Sequence, residues 1–308
     1  MDAAKQTDAE KGRDRSAIPT PTMRAAPVSS LTRRAVSAAL AALAGTAVRP
    51  VPAAEPTTLR ASLEKVAQRP AYGIETADVY YPPWFAGRWR VTSALTKVDA
   101  PAGVELFSPG RNGTEMLRRA REEMNDKPLV YEVRWRRDGE DTYVVDRAFN
   151  VESISRASMG ADAVQSTQAN GADSIVMVLK PSGAPRGTLF QADLKVVSRR
   201  TDPPRDADTF DCAETVRQTV LSVGGKGGPS ARPVLLKEVD TICLYERAGP
   251  DKITGIQRTA TYLVPDATYT SDPSLAEQQA ARLAMGPAGR AVAIDVRTYE
   301  CTYERIAA

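Results

Sequence analysis

The stretch Tyr80–Leu95, YYPPWFAGRWRVTSAL, restricts the fold of this chain more than any other. Trp89, Val91, Ser93 and Leu95 alternate with Arg88, Arg90, Thr92 and Ala94. A period of two puts the first set on one face of a β-strand and the second on the other. Pro82 and Pro83 cannot donate to a ladder, so the strand begins after them. Gly87 lets the backbone come close to what it packs on, and Trp89 plugs one end of a core.

Such a strand needs partners. Alternation and turn signals predict strands at about 87–98, 128–137, 141–147, 162–168, 174–180, 187–199, 209–223, 233–247, 252–264 and 290–306. Phe190, Ala192, Leu194 and Val196 make one apolar face. Phe210, Cys212, Val216 and Val220 make another, interrupted by Glu214 and Gln218. Asp138-Gly139 is a hairpin signal, and the glycine-rich 224–228 reads as a hairpin tip because no Lys-Ser/Thr follows it. Helical spacing marks Thr57–Gln68, Thr114–Asn125 and Pro273–Met285, with a helical turn at 151–159. The arginines of 114–125 read as a solvated face. The expected fold is mainly β: a single antiparallel barrel of about ten strands with two or three peripheral helices.

Composition narrows the chemistry. The chain of 308 residues has no histidine, which removes imidazole bases, Ser-His-Asp and Cys-His catalysis, and histidine metal sites. Cys212, Cys243 and Cys301 are far apart and form no zinc pattern, so no metal ligands are assigned. Residues 1–54 hold eight Lys/Arg against four Asp/Glu, so the whole-chain charge of +3 leaves the body at −1. A near-neutral body argues against nucleic acid as a partner. No long apolar run follows residue 55, so no transmembrane span is expected there.

Residues 1–54 read as a targeting presequence set apart from the fold. Arg33-Arg34 precede a 14-residue small and apolar run, Ala35–Val48, and Val51-x-Ala53 or Pro52-x-Ala54 offers a cleavage site. This is similar to a twin-arginine export signal; the alternative is an Ala-rich buried helix. The segment from Met23 is basic and free of acid, so the start lies at Met1 or Met23. A transit-like segment before a twin-arginine signal is the address of the chloroplast thylakoid lumen, with a bacterial periplasm as the alternative. Residues 55–77 are then a lead-in segment and 78–308 the barrel domain.

Gly87-x-Trp89 at the start of the first strand resembles the lipocalin or calycin signature. That resemblance implies a C-terminal arginine over the tryptophan: Arg305, with Arg297 as second choice. Across about residues 78–306 the chain also resembles a domain-of-unknown-function family of cyanobacteria and plastids. The matching stretches are PPWFAGRWRVTS, Val145–Asn150 followed by Ser155–Gly160, the strand Thr215–Val220 and the tyrosine-rich final strand. This implies fold and compartment but no activity.

Three functions follow as expectations. A barrel of this size holds one small ligand, and in a lumen that means a carotenoid, tetrapyrrole or lipid. Its inward residues are expected to be Trp89, Tyr131, Trp135, Tyr245 and Tyr303, which alternatively just fill the core. A photosystem-associated auxiliary factor is the second reading; exposure of Trp84 and Phe85 would favour it, and the alternative is that they close the base of the barrel. An enzyme is the third, through buried pairs among Asp146, Glu214, Glu238 and Asp240, although their spacing does not set them apart from surface charge. No catalytic residue or cofactor is assigned. If the strands of Cys243 and Cys301 are neighbours, those two are the best disulfide pair and Cys212 is a small buried apolar residue; otherwise all three are free thiols.

Overall fold

The computed structural model describes residues 58–63, 68–70, 73–108, 112–180, 189–223, 233–263, 284–285 and 290–307. All lie in the unit Glu55–Ala308. The presequence, the glycine-rich loop and nearly all of the helix expected at 273–285 lie outside the described residues.

Ten strands form one sheet: β1 (Gly87–Asp99), β2 (Leu129–Arg137), β3 (Tyr143–Val145), β4 (Val164–Asn170), β5 (Ser174–Leu179), β6 (Leu189–Thr201), β7 (Thr209–Val223), β8 (Pro233–Gly249), β9 (Lys252–Leu263) and β10 (Asp295–Arg305). Their order is β3-β2-β1-β10-β9-β8-β7-β6-β5-β4, each antiparallel to its neighbours. The first strand is thus interior, between β2 and β10. Register shifts in the β1–β10, β4–β5, β6–β7, β7–β8 and β8–β9 pairs add local twist and help the sheet to curl.

The sheet does not close, so the barrel expected from the strand count is corrected to a curled half-barrel. β3 and β4 are its edges, and no ladder joins them. β3 has only three residues, too few to carry a long closing ladder. The chain crosses from one edge to the other through helix α3 (Arg147–Met159), which packs on both β2 and β4. An open sheet in this order carries no lipocalin assignment.

Helix α3 starts four residues before the predicted helical turn. Asp146 is its N-cap, accepting a hydrogen bond from the Phe149 N–H at 3.2 Å. Gly160 ends it at φ +106°, a conformation that suits glycine. Helix α1 (Leu59–Leu63) lies on the opposite face of the sheet, where Leu59 packs on Ala213, Ile242 and Leu244. Helix α2 (Gly113–Glu122) is capped by Asn112, and its Arg118 and Arg119 pair with Glu115 on the exposed side. No helix among the described residues is long and apolar enough to cross a membrane.

Candidate functional site: an aliphatic cavity beside an aromatic core

The inner face of the sheet has two halves. In the first, Trp89, Tyr131, Trp135, Tyr245 and Tyr303 join one buried cluster with Tyr81, Phe85 and Phe210. Strand register explains the meeting. Tyr131, Val91, Tyr303 and Ile253 form one cross-strand row over β2, β1, β10 and β9. Ser93, Cys301, Gly255 and Tyr245 form the next. Gly255 is small for a reason: a Cβ there would stand 3.2 Å from Tyr245 Cδ1. Edge-on contacts such as Tyr81–Phe85 (4.8 Å) and Tyr245–Tyr303 (5.8 Å) fill the space between rows. The five aromatic residues expected to surround a ligand lie together in this buried cluster, and Trp135, Tyr245 and Tyr303 pack on other rings.

Arg305 closes this half. It is the direct ladder partner of Trp89, and its guanidinium carbon stands 4.2 Å from the Trp89 ring centroid. The same guanidinium donates to the carbonyls of Ala86, Trp84 and Pro250 and pairs with Asp251 at 2.9 Å. Trp89 Nε1 donates to the Phe85 carbonyl at 2.8 Å. Gly87 has φ +95°, which disfavours any other residue at the strand entrance. Arg297 does not reach Trp89; it pairs with Asp295 and Glu123. Trp84 and Phe85 are both buried.

The cysteines correct the predicted pairing. β9 lies between β8 and β10, so Cys243 and Cys301 are not on neighbouring strands. Two strand spacings of about 4.8 Å exceed what a disulfide spans. Cys243 instead faces Cys212 as its direct ladder partner. All three thiols are free and buried. A hydrogen bond to Cys243 and burial hold the Cys212 thiol well above its ordinary range. Burial pushes Cys301 up to about 11.

A charged belt bounds the aromatic half. Glu214 follows Cys212 on the inner face of β7 and takes Arg147 of α3 at 3.0 Å and Arg199 of β6 at 3.0 Å. Arg147 also pairs with Asp78. Burial works against the Arg147 charge, but Glu214 and then Asp78 outweigh it and raise its pKa above the ordinary value. Arg199 is fully buried and also holds Asp173 at 3.0 Å, the Ala172 carbonyl at 3.1 Å and the Thr76 carbonyl at 3.1 Å. It thereby ties the lead-in chain and the β4–β5 turn to the sheet.

Beyond the belt the inner face turns aliphatic and hollow. A cavity of about 490 Å³ lies between α3 and β5–β8. Ile175 and Met177 of β5, Leu194 and Val196 of β6, and Val216 and Val220 of β7 line the sheet side. Val151 and Ile154 of α3 line the other. Arg147, Asp173 and Glu214 stand at its polar end. Asn150, Ser155, Ser174, Gln218 and Thr241 add uncharged polar groups to the lining. A volume of this order with mainly apolar walls is typical of a small-molecule site.

The sequence profile of the domain of unknown function DUF6816 matches residues 73–298. The chain belongs to the DUF6816 family. No curated protein and no solved structure gives a significant match. The matched DUF6816 region contains the charged belt and every residue lining the cavity, whereas Arg305 lies beyond it.

Sequence reasoning pointed to aromatic residues, and the DUF6816 cavity is lined by none of the five it named. It had marked Ala192, Leu194 and Val196 as one face, and Val216 and Val220 as another; the structure sets these faces on adjacent strands, β6 and β7, along the cavity. The four carboxylates do not gather at one place. Asp146 caps α3 and pairs with Arg134, while Glu214 serves the belt. Glu238 lies on the opposite face with Arg69 and Arg217, and Asp240 on that face accepts from Thr215 at 2.9 Å. The cue that could have located the cavity is Glu214 and Gln218 interrupting an apolar strand face.

Proposed function

We propose that this chain binds one small apolar ligand in the cavity between α3 and β5–β8. The observation that carries this reading is a space of about 490 Å³ whose walls are mainly aliphatic, on a sheet face whose other half is filled by an aromatic cluster. Carotenoid, tetrapyrrole and lipid are the classes the sequence suggested. The surface-acting reading has lost its support at Trp84 and Phe85, which are buried.

The compartment is part of the same proposal: a thylakoid lumen, or a periplasm, with processing near Glu55 and a single mature domain. An intact N-terminus upstream of Arg33 on protein from its native host would overturn that part.

Titration with N-phenyl-1-naphthylamine, a neutral apolar fluorophore, tests the site. The expected result is saturable enhancement at one probe per chain, lost in Val216→Trp, where an indole occupies the cavity. Enhancement that is absent from the parent protein, or unchanged in the variant, contradicts the proposal.

A further inference from the structure

We propose that the ligand is a single-tailed amphiphile with an uncharged, hydroxyl-bearing head, its tail in the cavity and its head in a polar groove on the other side of Arg147. This rests on the cavity reading above and adds the chemical class of the ligand.

A second depression of about 390 Å³ adjoins the cavity. The two share Val145, Arg147 and Ala172, so the Arg147 side chain stands at their junction. Their linings differ in kind. The cavity is walled mainly by Val, Ile, Leu and Met, whereas the groove presents Asp78, Asp138, Asp146, Arg136, Arg147 and the Tyr80 ring. Tyr80 is 40% exposed, large for an aromatic side chain and consistent with a groove open to solvent. An apolar chamber next to a polar, water-accessible one, with one arginine side chain lining both, matches a molecule with a tail and a head. A purely apolar ligand would use only the first.

The charges select the head. Asp78 is neutralised by Arg147, and Asp146 by Arg134. Arg136 and Asp138 remain, one of each sign, both exposed at the groove. A carboxylate head would face the Asp138 carboxylate and an ammonium head the Arg136 guanidinium, so either ion meets one like charge. A hydroxyl-rich head can donate to Asp138 and accept from Arg136 at once, with no net charge to desolvate. Charge-assisted hydrogen bonds of this kind give orientation and specificity, while the tail supplies burial.

Four twelve-carbon probes share one tail: dodecyl maltoside, dodecanoate, dodecyltrimethylammonium and 1-dodecanol. Calorimetric titrations below their micellar concentrations, on the full chain, read the head directly. Dodecyl maltoside is expected to bind one per chain, at least tenfold tighter than the anion and the cation. The double change Arg136→Ala with Asp138→Ala alters two exposed side chains. It is expected to weaken dodecyl maltoside about tenfold and to leave dodecanol within twofold. Equal affinities across the heads, a preference for either ion, or indifference of dodecyl maltoside to the double change overturns the head assignment while the cavity reading stands. Failure of every probe, dodecanol included, overturns both.

Discussion

The inner face of the sheet carries two neighbouring regions with the same backbone and opposite contents. On β1, β2 and the facing ends of β7–β10, the rows hold Trp89, Tyr131, Trp135, Phe210, Tyr245 and Tyr303, and the rings of Trp135, Phe210, Tyr245 and Tyr303 meet at 5.8–6.4 Å. On β5–β8, under α3, the rows hold mainly Val, Ile, Leu, Met and Ala, with Glu214, Gln218 and Thr241 among them, and about 490 Å³ is left open. Side-chain length decides the difference. A ring spans the curled sheet to its counterpart, and a Val or Ala does not. The belt of Arg147, Glu214 and Arg199 lies where one content gives way to the other. A curled sheet thus supplies both a rigid core and a hollow, depending only on what alternates along each strand.

Substitutions should separate the halves. The largest loss is expected for Trp89→Ala, about 3–5 kcal/mol in urea denaturation, because a fully buried indole leaves a void and Arg305 loses its stacking partner. A loss below about 1 kcal/mol would show that this half is not packed as described.

Next comes the belt. Glu214→Gln removes the charge shared by two buried arginines, and a loss of about 3 kcal/mol is expected from the uncompensated cations. Thermal unfolding checks it; a variant as stable as the parent would mean that Asp78 and Asp173 suffice as counter-ions.

The sharpest contrast comes from adding bulk to each side. Gly255→Val forces a branched side chain against Tyr245 and the Leu244 carbonyl and should cost about 1–3 kcal/mol. Ala192→Leu adds three carbons toward the cavity and should stay within about 1 kcal/mol of the parent. Equal losses in the two variants would erase the distinction between a filled half and a hollow one.

The smallest effect concerns the thiols. Cys301 is buried and its thiol is pushed up to about 11, so at pH 8 it is almost wholly protonated. The native protein should resist alkylation at that pH and take three labels once denatured. Mild oxidation should link Cys212 to Cys243, the ladder partners, and a Cys243–Cys301 link would contradict the strand order.

Much of the strand pattern was legible because alternation is a local property. Tyr131, Val133 and Trp135 announced β2 within a residue of its start, and Thr209–Val223 was read to its ends. Closure was not legible. Whether β3 and β4 pair depends on what the intervening chain does, and the Asp146 cap that turns 147–159 into a full helix across the gap is a one-residue signal. The cysteine pairing failed for the same reason: composition places Cys243 and Cys301 on tyrosine-bearing faces, but only the order of strands puts β9 between them. The cavity was not legible because rings draw attention as ligand contacts, while here Trp135, Tyr245 and Tyr303 fill space against other rings. The hollow belongs to the short side chains, whose absence of bulk leaves no motif.

The proposed ligand enters the aliphatic half and not the aromatic one. The most direct measurement is a crystal structure with 12-bromododecan-1-ol, phased to show the bromine. Anomalous density is expected between Ile154 of α3 and Val216 of β7. Density among Trp89, Tyr131 and Trp135, or none in the cavity at saturating ligand, would contradict it.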